Sequence, residues 1–288
     1  MPRLAASTHG DAHLHILRVV RRGDRDDPRD LTVAVGFEGA FAPAFVEGHT
    51  DGILPPETVK RFVRDAVRAQ GDAEIEALGL TIAGRVLEAH PHVTRAWAQL
   101  AERPWTRLAP GGKAQGQSFT RAGAEQRTAI VSRDAAGSAV ASGIEQLIVM
   151  QTSGFLPRGG RERADDGTQD AVEPLLVGAL AARWSYGTVD VPFGPYREGV
   201  RAALVETFAL HAARSVQYTL HAIAEVVLAT VPEILDVTVT MEERRYHPAD
   251  PLGLQPRGRD DLFVPSDGAT RTVEVRLERG PAVPPREA

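Results

Sequence analysis

The apolar residues of this chain change period twice, and in the same order each time. His13 to Val20 (HLHILRVV) and Leu31 to Gly39 (LTVAVGFEG) alternate as strands do. From Pro55 onward Val59, Phe62, Val63, Ala66 and Val67 recur at helical spacing, with two prolines near the start, where proline is tolerated. A second helix is expected over AEIEALGLTIAGRVLEAH, with Asp72 as its cap. Strand patterns return in HVTRAWAQLAERPWTRL and QRTAIVSRDA, around a Gly-rich turn at Ala109 to Gly116. The second half repeats the order. IEQLIVMQTSGF and LVGALAARWSYGTVDV read as strands, REGVRAALVETFALHAAR and SVQYTLHAIAEVVLATV as helices, and EILDVTVTMEERRYH and TRTVEVRLER as strands again.

Each half is therefore β-β-α-α-β-β. No residue identity between the halves is obvious, so the repeat is one of element order. The boundary is placed near AAGSAVAS, giving units 1–138 and 139–288. Four antiparallel strands under two helices form an α+β layer. Two such layers in tandem expose sheet edges that must be paired or covered, and closing several subunits into a barrel achieves this. A homo-oligomer follows. The charged runs RRGDRDDPRD and RGGRERADDGTQD are expected as solvated loops.

Composition excludes several functions. The 288 residues include no cysteine, which removes disulfides, thiol catalysis and cysteine-ligated metals. The net charge is −5, unlike that of a general nucleic-acid or anionic-membrane binder. No apolar run reaches the roughly 20 residues of a membrane helix, and the N-terminal segment lacks a signal-peptide core. A cytoplasmic protein without nucleic-acid or membrane partners is expected.

Longer motifs carry a resemblance. RSVQYTLHAIAEVVLATVPEILDVTVTMEERRYHPADPLGL, with Ser215-Val216-Gln217 opening a helix and Tyr246, Asp250, Leu252, Gly253 and Leu254 closing the block, resembles the C-terminal signature of the urate oxidases. DDLFVPSDGATRTVEVRLER, HTDGILPPETVKRFV, IEALGLTIAGRVLEAHPHVTRAWAQLAERPWTRL, ASGIEQLIVMQTSGF and AARWSY are similar to further blocks of that family. The resemblance implies a tandem T-fold assembled as a homotetramer, with sites at subunit interfaces. It also implies oxidation of urate by O2 without a cofactor.

Carried over residue by residue, the resemblance is uneven. The Gln that clamps the purine matches Gln217, beside Val216, and the stacking Phe matches Phe155. The relay Lys falls on Asp11, the relay Thr on Pro56 and its neighbouring Asp on Glu57. The clamp Arg falls near Pro174, with Arg158, Arg161 or Arg163 as substitutes. The Asn and His that handle oxygen and the proton fall on Glu243 and Arg245, and a His-x-His becomes Gln115-Gly116-Gln117. Proline has neither hydroxyl nor N–H, and an aspartate cannot supply the lysine's positive charge. The urate machinery is thus absent in its family form.

Three readings stand. In the first, Gln217 and Phe155 hold a planar purine-like heterocycle, and Asp11, Glu57, Glu243 and Arg245 carry altered oxidoreductase chemistry, with weak or no urate oxidase activity. In the second, the chain is a binding or structural protein without catalysis. In the third, His9, Asp11, His13 and His15, at i, i+2 spacing on one strand face with Leu17 and Val19, bind a divalent metal. Glu243 and Arg245 should continue the inward stripe of Leu235, Val237, Val239 and Met241, pairing with each other or with Asp11, or lining a wet cavity. In the first reading they border one concave site with Gln217.

Overall fold

A computed structural model describes residues 4, 7–50, 52–121, 123–152, 175–211, 215–249, 262–266 and 270–280, except the side chains of Ala12 and Pro248. The chain divides into two compact units: residues 1–144 with 185–195, and residues 145–184 with 196–288.

In the first unit the antiparallel order is β1 (Thr8–Arg22), β2 (Arg25–Gly39), β3 (Val93–Arg103), β6 (Gln126–Asp134), then the first part of β7 (Gly137–Gln151). The short strands β4 (Thr106–Arg107) and β5 (Phe119–Thr120) pair with each other between β3 and β6. Helix α2 (Pro56–Ala69) packs on β1 and on α3 (Ile75–Ala89), which covers β2, β3 and β6. The short α1 (Ala42–Val46) precedes them. The core follows from the two periods. Leu31, Val33, Val35 and Phe37 alternate inward on β2, and Val59, Val63, Ala66 and Val67 line one face of α2.

The second unit continues from β7 through β8 (Leu176–Tyr186), α4 (Phe193–Leu210), α5 (Val216–Thr230), β9 (Ile234–Arg244) and β12 (Arg271–Glu278). A two-stranded ribbon of β10 (Tyr246–Pro248) and β11 (Phe263–Pro265) lies between β9 and β12 in sequence. Helix α5 packs on β9 and β12. Trp184, Leu204, Leu220, Ile223, Val237 and Val239 are buried here. Apart from the short additions, each half has the expected β-β-α-α-β-β order in an α+β antiparallel fold. Strand β1 ends one strand order and β12 the other.

Two local expectations are corrected. RRGDRDDPRD is not a loop: β1 and β2 run through it and meet in a two-residue turn at Gly23-Asp24, where Gly23 has φ 71°. Asp26 and Asp30 are buried there with partners on other strands and segments: the Asp26 carboxylate accepts from Arg21 at 3.3 Å, and His15 and Arg121 reach that of Asp30. Arg107 bonds the Asp26 carbonyl and the Asp27 carboxylate. Asp72 does not cap α3, whose N-cap is Glu74; it accepts instead from Arg22, at 2.6 Å. The other predicted loop, RGGRERADDGTQD, lies outside the described residues.

Candidate functional site

The first cluster begins at the N-terminal end of β1. The register sets His9 opposite Phe37 and Asp11 opposite Val35, so both share the inward face of those core residues. The register then shifts between Asp11 and Leu14, with His13 at φ 61°. A bulge inserts one residue and exchanges the two faces. Leu14 and Ile16 thereby join His9 and Asp11 on the inward side and pack on the core. His15 is exposed, its Nε2 lying 2.5 Å from Asp30 Oδ1.

The expected single face of His9, Asp11, His13, His15, Leu17 and Val19 is therefore broken by the bulge. His13, Leu17 and Val19 are exposed. Among the described residues no three His, Asp or Glu side chains gather as metal ligands.

Strand β1 approaches β2 closely at Gly10, where a Cβ would meet the Val35 carbonyl oxygen and Gly36 Cα. His9 lies among three phenylalanines, with ring centroids 5.9 Å from Phe37, 5.1 Å from Phe41 and 5.2 Å from Phe45. Phe45 on α1 remains 53% exposed and forms an open apolar wall. His9 Nε2 and Asp11 Oδ2 are shielded from solvent, yet neither has a hydrogen-bond partner among the described residues. Leaving buried polar atoms unmatched is costly, and such atoms call for an explanation.

Helix α2 brings further charge to this strand. Pro56 is its first residue, exposed and without a hydroxyl, and Glu57 follows in the first turn, where the helix dipole favours an anion. One turn on, Lys60 Nζ donates to Glu57 Oε1 at 2.9 Å. This hydrogen bond, then the Glu57 charge and more weakly that of Asp11, raises the Lys60 ammonium above its ordinary pKa. The same bond and charge, helped by Arg64, hold Glu57 below the usual carboxylate value. Asp11, Glu57 and Lys60 are thus electrostatically linked. Lys60 is not among the residues singled out from the sequence; the signal available was its i+3 spacing from Glu57 and its rarity, the only other lysine being Lys113.

The other end of β1 and β2 borders a cleft of about 490 Å³ lined by Arg22, Arg29, Asp72 and Glu102 among others. Its charges are already paired: Arg22 with Asp72, and Arg29 with Glu102 at 2.7 Å.

In the second unit Ser215 caps α5, its hydroxyl accepting from the Tyr218 N–H at 3.1 Å. Val216 is buried and anchors the first turn, while Gln217 is exposed at the helix start. On β9, Val237, Val239, Met241 and Glu243 form the inward stripe. Glu243 is only 8% exposed, and its Oε2 has no hydrogen-bond partner among the described residues. Two members of the expected stripe fall away. Leu235 is exposed, and Arg245 lies beyond the last residue of β9, exposed, where the alternation no longer governs its direction. No ion pair joins Arg245 to Glu243 among the described residues.

Gln115 and Gln117 lie in the segment between β4 and β5, where the Gly116 carbonyl accepts from Arg107 at 2.6 Å. Phe155, Arg158, Arg161, Arg163 and Pro174 lie outside the described residues.

Comparison with known proteins places these positions in a frame. The family model described as Uricase matches residues 140–276. The uricase of Arthrobacter globiformis is 26% identical over 279 residues, covering 96% of this chain and 90% of the relative. That of Danio rerio is 26% identical over 284 residues, covering 95% and 94%. The crystal structure of uricase from Arthrobacter globiformis superposes with a TM-score of 0.88 at 24% identity, covering 99% of this chain and 98% of that one. A uricase from Bacillus fastidious gives 0.77 at 16% identity, covering 94% and 93%.

Proposed function

We propose that this chain, which belongs to the uricase family and has its T-fold, is a cofactor-free oxidoreductase-type enzyme for a planar purine-like heterocycle, with altered substrate or chemistry and little or no urate oxidase activity. The observation that carries this reading is the linked set Asp11, Glu57 and Lys60, at and beside the positions where the family's proton relay falls.

The chemistry follows from that set. Lys60 is held protonated by Glu57, so it stabilises negative charge and is a poor base while the bond lasts. Glu57 is a weakened base for the same reason. Asp11, with one desolvated and unbonded oxygen, is the acceptor best placed to take a proton from a ring N–H. Val216 and Gln217 at the start of α5 and Phe155 hold the ring, and Glu243 adds a second carboxylate. O2 is the co-substrate and no metal is required. The site lies between subunits of a homo-oligomer, a tetramer as the resemblance implies, in the cytoplasm.

The test is oxygen consumption by the purified protein with urate and with a panel of purines and pterins. Turnover of a ring other than urate supports the proposal. Efficient turnover of urate refutes it.

A second reading has its own support. Gln217 and Arg245 are both exposed on the protomer, and neither is joined to Glu243 among the described residues. A binding or structural protein without catalysis would have that arrangement. It is favoured if no ring in the panel consumes oxygen while some bind.

A further inference from the structure

We infer that the N-terminal end of β1 selects a neutral or cationic ring that presents N–H donors, such as an aminopyrimidine edge, rather than a purine anion. This rests on the reading of the His9–Asp11 cluster as a binding site.

The polar atoms left unmatched at that end set the preference. Asp11 Oδ2 is shielded from solvent and accepts no hydrogen bond among the described residues. A carboxylate oxygen in this state is completed by a donor and repelled by an anion. The available cation does not reverse the balance, because Lys60 already donates to Glu57 at 2.9 Å and its charge is shared between two carboxylates. Arg64, one turn further along α2, is exposed, and its charge is screened by water. His9 Nε2, on the same strand face as Asp11, adds a second unmatched polar atom that donates or accepts according to its tautomer. The half-exposed Phe45, beside His9, supplies an apolar face suited to a flat ring.

The second unit shows the same polarity independently. Glu243 is buried at 8% exposure with Oε2 unmatched among the described residues, at a position where the uricase resemblance has a neutral Asn. Carboxylates have thus entered at both positions, and a donor-bearing ring satisfies such groups where urate would not.

The experiment is titration calorimetry on the full chain in its native oligomer at neutral pH, with 2,4-diaminopyrimidine and urate as probes. The diaminopyrimidine is expected to bind at least about ten-fold tighter, and Asp11→Asn should reduce that preference to near parity, because the amide replaces an acceptor oxygen with a donor. Thermal melts confirm folding of the variant, and Asp11→Ser serves if the Asn variant does not fold. Equal or tighter binding of urate overturns the inference and leaves the heterocycle reading standing. A diaminopyrimidine preference untouched by either variant also overturns it, since the ring then binds elsewhere. Binding of neither probe overturns both the inference and the reading of this cluster as a site.

Discussion

Lys60 reaches back one helical turn to Glu57, donating across 2.9 Å, while its ammonium also feels the charge of Asp11 on β1. Helix and strand are thereby tied electrostatically at the end of the first sheet.

This tie gives a defined pH window. Glu57 has a folded pKa below its ordinary 4.5, so its contribution to stability is present above that value and is lost as pH falls through the folded pKa. Lys60 has a folded pKa above its ordinary 10.5, so its contribution is present below that value and is lost as pH rises through the folded pKa. The difference in melting temperature between wild type and Lys60→Met should be flat from about pH 6 to 9 and shrink toward both extremes. A difference that varies through neutral pH would show that other groups govern it.

A buried network should be more sensitive. Glu76 is fully buried and lies 2.5 Å from the Ser142 hydroxyl, which also accepts from Tyr186 OH at 3.1 Å. Ser142→Ala removes one partner from a desolvated carboxylate and is expected to cost about 1–3 kcal/mol in urea unfolding. No measurable loss would mean that water replaces the hydroxyl.

Urate turnover is expected to lie about 10² to 10⁴-fold below that of a typical uricase, the usual cost of removing a positioned proton-transfer or charge-stabilising group. Asp11→Lys combined with Pro56→Thr should raise it. Following urate absorbance under air measures both. Robust wild-type turnover would show that other groups have taken over the relay.

Strands β1 and β12 each pair with one neighbour among the described residues, and such sheet edges predict assembly. Light scattering should give a mass that is a multiple of 31.0 kDa. A stable monomer at micromolar concentration contradicts this.

Much of the fold was legible because periods of 2 and 3.6 are local properties of the chain. The β-β-α-α-β-β order and the inward stripe of Val237, Val239 and Met241 both followed from neighbours in sequence. What escaped depends on contacts made only on folding. The start of β2 reads as a loop because Asp26 and Asp30 are polar, and their burial depends on partners the local pattern does not show: Arg21 across the hairpin for the Asp26 carboxylate, and His15 with Arg121, 91 residues on, for Asp30. Lys60 was overlooked because its link to Asp11 exists only once α2 lies on β1. Arg245 was assigned to the inward stripe because alternation does not say where a strand stops, and β9 stops one residue earlier.

The bulge between Asp11 and Leu14 makes the N-terminal arm a matter of parity. Deleting the single extra residue at Ala12 or His13 would restore regular pairing with Asp11 still opposite Val35 and Leu14 opposite Val33, so His9 and Asp11 would stay on the inward side with Leu14 and Ile16. Loss of both Ala12 and His13, six nucleotides of coding sequence, would instead set Asp11 opposite Ala34 and turn His9 and Asp11 to the other side of the sheet, dismantling this end of the candidate site while leaving the first core standing, whereas most substitutions there would blunt one side chain at a time.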